Sequence, residues 1–212
     1  WSSVIAKEQD RKNGMPAKRK QAFVDIAVQR AKQMVYGVPE NCFDCDAVYK
    51  LEEDNIIYRD PKRNLLIPAH DVLEDWAIAN YVEAAYQRCV DDVNQFIEDV
   101  GSEPAITRSY RLWLHQKLSD QDDIDNFVYE ILTDKNIPNY WKDETISAIL
   151  DSDYPDRFLN SLASRLFEND FELLKRFCFV LRVACQVPRE GNNAVNALFL
   201  IPHGKGWGCI IH

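Results

Sequence analysis

The sequence predicts a mainly α protein: a multi-helix bundle with a small antiparallel β element near residues 47–67 and a C-terminal β-hairpin near 195–211. Three observations lead to this reading. Apolar residues recur at spacings of three and four through 20–35 and most of 71–187, the period of an amphipathic helix. Two short stretches replace that period with β-branched and aromatic runs bounded by turn residues. No apolar run approaches the ~20 residues of a membrane span.

The first helix is carried by KRKQAFVDIAVQRAKQMVYG (18–37), where Phe23, Ile26, Ala27, Arg30 and Met34 share a face and Gly37 is placed to end it. In AVYKLEEDNIIYRDPKRNLLIPAHD (47–71), EEDN and DPKRN read as turns separating strands near 47–51, 55–59 and 64–67. One long helix is expected over 71–100, with Asp71 and Glu74 as an N-terminal capping pair and Gly101 closing it. Its stripe runs Val72, Trp76, Ala79, Val82, Tyr86, Val90, Val93, Phe96, Val100, and at 1.5 Å per residue it would be about 43 Å long.

Shorter helices follow. One is expected at 105–118, and a second behind Ser119 turns Ile124, Phe127, Val128, Ile131 and Leu132 inward. A third covers 141–151, and a fourth has Pro155 in its first turn, where a missing N–H is tolerated. The fifth begins near Asn169 and runs to Pro188. It is apolar on nearly every side, which predicts a central position. ALFLIP and CII then read as strands joined by the glycines of GKGWG. The 212 residues are read as a single domain: a basic N-terminal helical arm (1–40), the β element (41–70), the helical core (71–190) and the hairpin (191–212).

Composition, with 46% hydrophobic and 28% charged residues, excludes a disordered chain. The first residues contain no apolar segment of signal-peptide type, and the irregular cysteine spacing does not suggest a disulfide framework. A reducing, cytoplasmic setting is therefore expected. The net charge of −9 is unevenly spread. Residues 1–37 hold eight Lys and Arg against Glu8, Asp10 and Asp25, a balance of +5, which leaves −14 on the rest. Within that arm Lys18, Arg19, Lys20, Arg30 and Lys32 are the candidate contacts for an acidic partner or a phosphate backbone.

The terminal stretch IPHGKGWGCIIH offers sharper chemistry. A phosphate cradle at Gly204, Gly206 and Gly208 would want a helix start behind it, and a hairpin accounts for the glycines without one. GWGC resembles the short stretch around the nucleophilic cysteine of autophagy-related cysteine peptidases. In that family the cysteine opens a long helix and its His and Asp partners come later; with three residues after Cys209 in this sequence, that order is not expected here. Cys42-x2-Cys45 with Cys209-x2-His212 supplies the four ligands of a structural zinc, the one cofactor alternative to none. The acidic stretches SDQDDIDN and LDSDYPD read as helix-start charge rather than calcium loops. Among the aromatics, Trp141 and Trp207 lie in or beside loops and are the candidates for a protein interface.

No complete catalytic constellation is visible, so no catalytic residue is assigned. The ranking that follows places first a non-catalytic helical subunit or adaptor docking to other proteins. The alternative is a nucleic-acid-contacting component of a ribonucleoprotein or DNA-bound complex, acting through the basic arm. A Cys/His or zinc-dependent hydrolase comes third. No membrane partner is expected.

Overall fold

The computed structural model describes residues 2–7, 14–89, 92–188 and 200–211. It is mainly α with two small antiparallel sheets, and the chain divides into two compact units, residues 1–110 and 111–212. The division falls inside one helix, α5 (Pro104–Ser119).

In the first unit, α1 (Met15–Gln33) packs against a short π-helical turn (Ser2–Ala6), α2 (Cys45–Glu53) and α3 (Asp71–Arg88). Ala22, Phe23, Ile26, Ala27 and Ala31 form its buried face, as the 3.6 period requires. The basic segment is thus an integral core helix of this unit. It ends not at Gly37 but at Met34, which takes a left-handed backbone (φ 51°) so that its N–H can reach the carbonyls of Arg30 and Ala31.

The β element is a three-stranded sheet in the order β1 (Val38–Pro39), β3 (Leu65–Pro68), β2 (Ile57–Asp60), with Val38 opposite Leu66 and Ile57 opposite Pro68. Two expected strands fall within two residues of β2 and β3. The expected strand at 47–51 is instead the middle of α2. Asp44 caps it, its carboxylate accepting the Ala47 N–H at 3.0 Å, and Ala47, Val48 and Leu51 point into the core. A cap and a buried i, i+3, i+4 face outweigh the weak strand preference of Val48 and Tyr49.

The single 30-residue helix is two, α3 and α4 (Val93–Val100). Asp92 starts the second by accepting the Gln95 N–H at 2.9 Å. The buried face of α3 is Glu74, Ala77, Ile78, Val82 and Ala85, whereas Val72 and Trp76 are exposed. Glu74 is no cap, since it is buried in an ion pair with Arg30. A paired carboxylate can occupy a core position that a hydrophobic pattern assigns to its neighbours.

In the second unit, α6 (Asp125–Thr133), α7 (Asn139–Asp151), α8 (Pro155–Ser161) and α10 (Glu172–Ala184) follow the expected order, and a short helix not expected from the sequence, α9 (Ala163–Leu166), lies between the last two. Ile124, Phe127, Val128, Ile131 and Leu132 are all buried, and Trp113 meets Phe127 edge-on at 6.0 Å between ring centres. α7 lies at the centre, packed against α6, α8, α10 and α11 (Gly206–Ile211), with Trp141, Ile146, Ile149 and Leu150 inaccessible.

The C-terminal strand pair is β4 (Gln186–Pro188) with β5 (Leu200–Pro202), Val187 opposite Ile201. The glycine stretch does not join two strands. Residues 206–211 form α11, and β5 pairs backwards with β4; residues 195–199 of the expected hairpin lie outside the described residues. Gly206 explains the close seat of this helix. A Cβ there would stand 2.6 Å from Leu150 Cδ2 and 2.8 Å from the Leu150 carbonyl oxygen.

Candidate functional site

The sequence of α10, ELLKRFCFVLRVA, carries two apolar arcs. Phe177, Val180 and Leu181 are buried toward the interior of the second unit, where α10 meets α7 and α9. On the other side, Phe171, Leu174, Cys178, Phe179 and Val183 line an open depression of about 620 Å³ together with Lys175 and Arg182. Phe179 is 60% and Val183 67% exposed. Phe171, at 45%, leans edge-on against the exposed Phe167 at 6.0 Å and extends the apolar surface past the helix start. The expected central position of this helix is therefore corrected: it packs on one side and opens on the other. Periodicity registers where apolar side chains point and not whether anything meets them, so two arcs on one helix read as complete burial.

At 100° per residue, Lys175 and Arg182, seven apart, fall on one line down the middle of the open arc. Leu174 and Cys178 lie to one side of that line, and Phe179 and Val183 to the other, with Phe171 just ahead of the first helical turn. Lys175 reaches Asp170 at 2.8 Å, but both side chains are largely solvated (64% and 90% exposed), so water screens the pair. Arg182 is exposed and, among the described residues, makes no ion pair.

The two tryptophans fare differently. Trp141 is inaccessible and offers no interface, because it starts α7 beneath α6 and α10 rather than ending a loop. Trp207 is half-buried, and its indole N–H donates to the Cys185 carbonyl at 2.6 Å. The His203 N–H donates to the same carbonyl at 2.9 Å, and Lys205 binds Asp153 at its carboxylate (2.9 Å) and its carbonyl (3.0 Å). The terminal stretch is thereby fastened down rather than presented.

Its thiol chemistry runs against nucleophilic attack. Burial and then the Asp156 charge push the Cys209 thiol up, whereas a reactive cysteine needs its thiolate favoured. Burial, followed by Asp151, lifts Cys185 to about 11. For the zinc alternative, Cys45 is exposed at the first position of α2, and the Cys209 thiol points at the Lys205 carbonyl at 3.7 Å. The Cys42 side chain and His212 lie outside the described residues. Among the described residues no three His, Cys, Asp or Glu side chains gather as metal ligands.

The basic residues of α1 have internal partners. Arg19 is 2% exposed, donating through Nε to the Ile5 carbonyl at 2.7 Å and through NH1 to the Lys50 carbonyl at 3.1 Å. Its NH2 sits 2.7 Å from Asp54 Oδ2, off hydrogen-bonding geometry, so this contact is one of charge. Lys32 donates to the Asp99 carbonyl (2.8 Å) and the Tyr81 hydroxyl (2.7 Å), and lies over the Tyr81 ring. Arg30 holds Glu74 and the Tyr36 carbonyl, and Lys18 pairs with Asp44 at 2.8 Å. Three of these acceptors belong to the last turns of other helices: Ile5 of the π-turn, Lys50 of α2 and Asp99 of α4. Helix C-termini present unbonded carbonyls and partial negative charge, which cations satisfy. Of the five proposed contacts, only Lys20 is exposed without an ion pair among the described residues.

A second depression, about 470 Å³, is lined by Lys142, Arg165 and Arg176 together with Glu168 and Glu172. Its charges are of both signs. Burial, followed by the Arg176 charge, lowers the Lys142 pKa, while Arg176 itself is held by Asp143 and Asn139. Arg165 lies on the Tyr129 ring at 4.1 Å. The α10 face differs in being largely apolar, and it escaped the sequence reading. The available signal was the pair of cations seven residues apart inside an otherwise apolar helix.

No protein-family model matches the chain, and no curated protein is significantly similar to it. Among the described residues, no helix is long and apolar enough to cross a membrane.

Proposed function

We propose that this chain is a non-catalytic docking subunit that receives a helical segment of another protein along the open face of α10. One observation carries the reading: Phe179 and Val183, with Phe171 and Phe167 beside them, leave a contiguous apolar surface in water on a helix whose other side is packed. Isolated exposed apolar residues need no explanation, but a grouped set with a charged midline is the anatomy of a binding surface. Full burial of a Phe or Val side chain stabilises by about 1.5–3 kcal/mol, so half-exposed ones each hold back about 1 kcal/mol for a partner. Leu174, Cys178, Phe179 and Val183, at i, i+4, i+5 and i+9, give the kind of one-sided apolar helix face used in helix-in-groove recognition.

A photo-crosslinking residue placed at Phe179, and separately at the exposed Tyr49 as control, tests this in extract from the native source. The expected result is one defined adduct from position 179 and none from 49. The adduct partner, once purified, binds the full chain, and Val183→Asp weakens that binding by about tenfold or more, about 1.4 kcal/mol, with the circular dichroism spectrum unchanged. A strictly monomeric chain with no adduct at position 179, or binding that ignores Val183→Asp, overturns the proposal.

A further inference from the structure

We infer that the partner segment is an amphipathic helix carrying carboxylates within its apolar face, about two turns apart, and that a two-fold pairing of α10 with its own copy is disfavoured. The inference rests on the docking reading above and deepens it. Lys175 and Arg182 do not flank the open arc; they run down its middle, with apolar side chains on both sides. Any helix laid on this face covers them.

A covered cation without a counter-charge loses its hydration for nothing in return, which weakens binding strongly. The same cation opposite a carboxylate becomes a charge-assisted contact in a drying environment. A partner with an uninterrupted apolar stripe is therefore disfavoured, and one with Glu or Asp at positions i and i+7 fits. Seven residues rise about 10.5 Å along either helix, so the two spacings match.

A symmetric pairing of α10 with itself is opposed by the same residues. In a two-fold pairing of α10 with its own copy, antiparallel about the Cys178–Phe179 midpoint, residue 175 lies opposite 182 and 182 opposite 175. Both closest pairs would be cation on cation. An anionic bilayer is also a poor match. Interfacial helices keep their cations on the polar side, at headgroup level, whereas here the cations sit within the surface that would have to enter the acyl region.

Designed 18-residue helical peptides with a Leu/Phe face provide the probe, their binding to the full chain followed by fluorescence anisotropy. One carries Glu at two face positions seven apart, one has Gln there, and one has Lys. The expected result is saturable binding of the Glu peptide, with Gln weaker by about tenfold and Lys weaker still. In the double variant Lys175→Glu with Arg182→Glu, both at exposed positions, the order of Glu and Lys peptides inverts. Circular dichroism confirms that the variant is folded.

Equal binding of all three peptides, or no inversion in the double variant, overturns the charge inference and leaves an apolar docking face. Peptide binding that survives Phe179→Asp with Val183→Asp overturns docking at α10 itself, as does the absence of binding by any peptide at millimolar concentration. Three further outcomes assign the face to another occupant and overturn the inference. They are tighter binding of a peptide spanning residues 189–200 of this same chain, dimerisation abolished by Phe179→Asp, and retention on phosphatidylserine vesicles but not on phosphatidylcholine ones.

Discussion

Replacing Asp54 with asparagine removes the carboxylate charge that Arg19 NH2 faces at 2.7 Å. Arg19 is 3% exposed and Asp54 21% at the side chain, and each of the two contacting atoms is otherwise buried without a hydrogen-bond partner. Breaking a buried pair by deleting one member costs about 3–5 kcal/mol. Two features lower that figure here. Arg19 keeps its bonds to the Ile5 and Lys50 carbonyls, and Asp54 retains some solvent. The expected loss is about 2–3 kcal/mol near neutral pH. It also has a pH signature. Burial alone would push the Asp54 carboxyl up, but the Lys7 hydrogen bond and the positive charges of Arg19 and Lys7 beside it outweigh that and hold the group below its ordinary value. A carboxyl depressed in the folded state contributes stability that is present above the unfolded value, about 3.9, and lost as pH falls through the folded one. Wild type and Asp54→Asn should therefore differ near neutrality and converge in strong acid. Urea unfolding followed by circular dichroism across that range measures the gap. A gap below about 0.5 kcal/mol near neutrality, or one that does not change with pH, would refute the assignment of Asp54 as the charge holding Arg19 in the core.

Glu144 should behave in the opposite sense. Burial, only partly offset by Arg111 at 3.5 Å, raises its pKa, so the folded protein is burdened by the ionised form above that value. Glu144→Gln is expected to stabilise near neutral pH and to lose that advantage as pH falls through the ordinary Glu range, again read by urea unfolding. The glycines of GKGWG separate by substitution. Gly206→Ala, which drives a Cβ into Leu150, should cost about 1–3 kcal/mol, whereas Gly208→Ala, with nothing within 4 Å of its Cβ, should be neutral or stabilise by about 0.5–1 kcal/mol. Differential scanning calorimetry decides between them, and equal effects would contradict the seating of α11 on α7. A maleimide at neutral pH should label the exposed Cys45 quickly and reach Cys185, buried with its thiol near 11, only on unfolding; mass spectrometry of tryptic peptides reads both.

Much of the helical plan was legible, and the reasons differ from element to element. α6 was readable because all five of its predicted inward residues are apolar and nothing polar shares that face. Pro155 marked α8 because its ring suits a first turn. α2 was misread because Val48 and Tyr49 have strand preference, while the deciding contact, Asp44 to the Ala47 N–H, looks like any other aspartate in a string of letters. The face of α3 was misplaced because Glu74 counts as polar until Arg30 is known to meet it, 44 residues away. The candidate site lies beyond sequence reach for a related reason. Residues of the two arcs of α10 are equally apolar, and only the three-dimensional fold shows which arc has neighbours. The basic residues illustrate the converse. Their density on α1 was plain, but the carbonyls that engage them come from three separate elements.

That engagement bears on how the sequence can drift. A guanidinium at position 19 bonds two carbonyls and faces a carboxylate in different directions, a task the point-like ammonium of lysine cannot perform. At position 20 next door, a side chain in solvent answers to almost nothing. Natural variants of this protein should therefore hold arginine at 19 and wander freely at 20, because the first is tied into the interior and the second meets water.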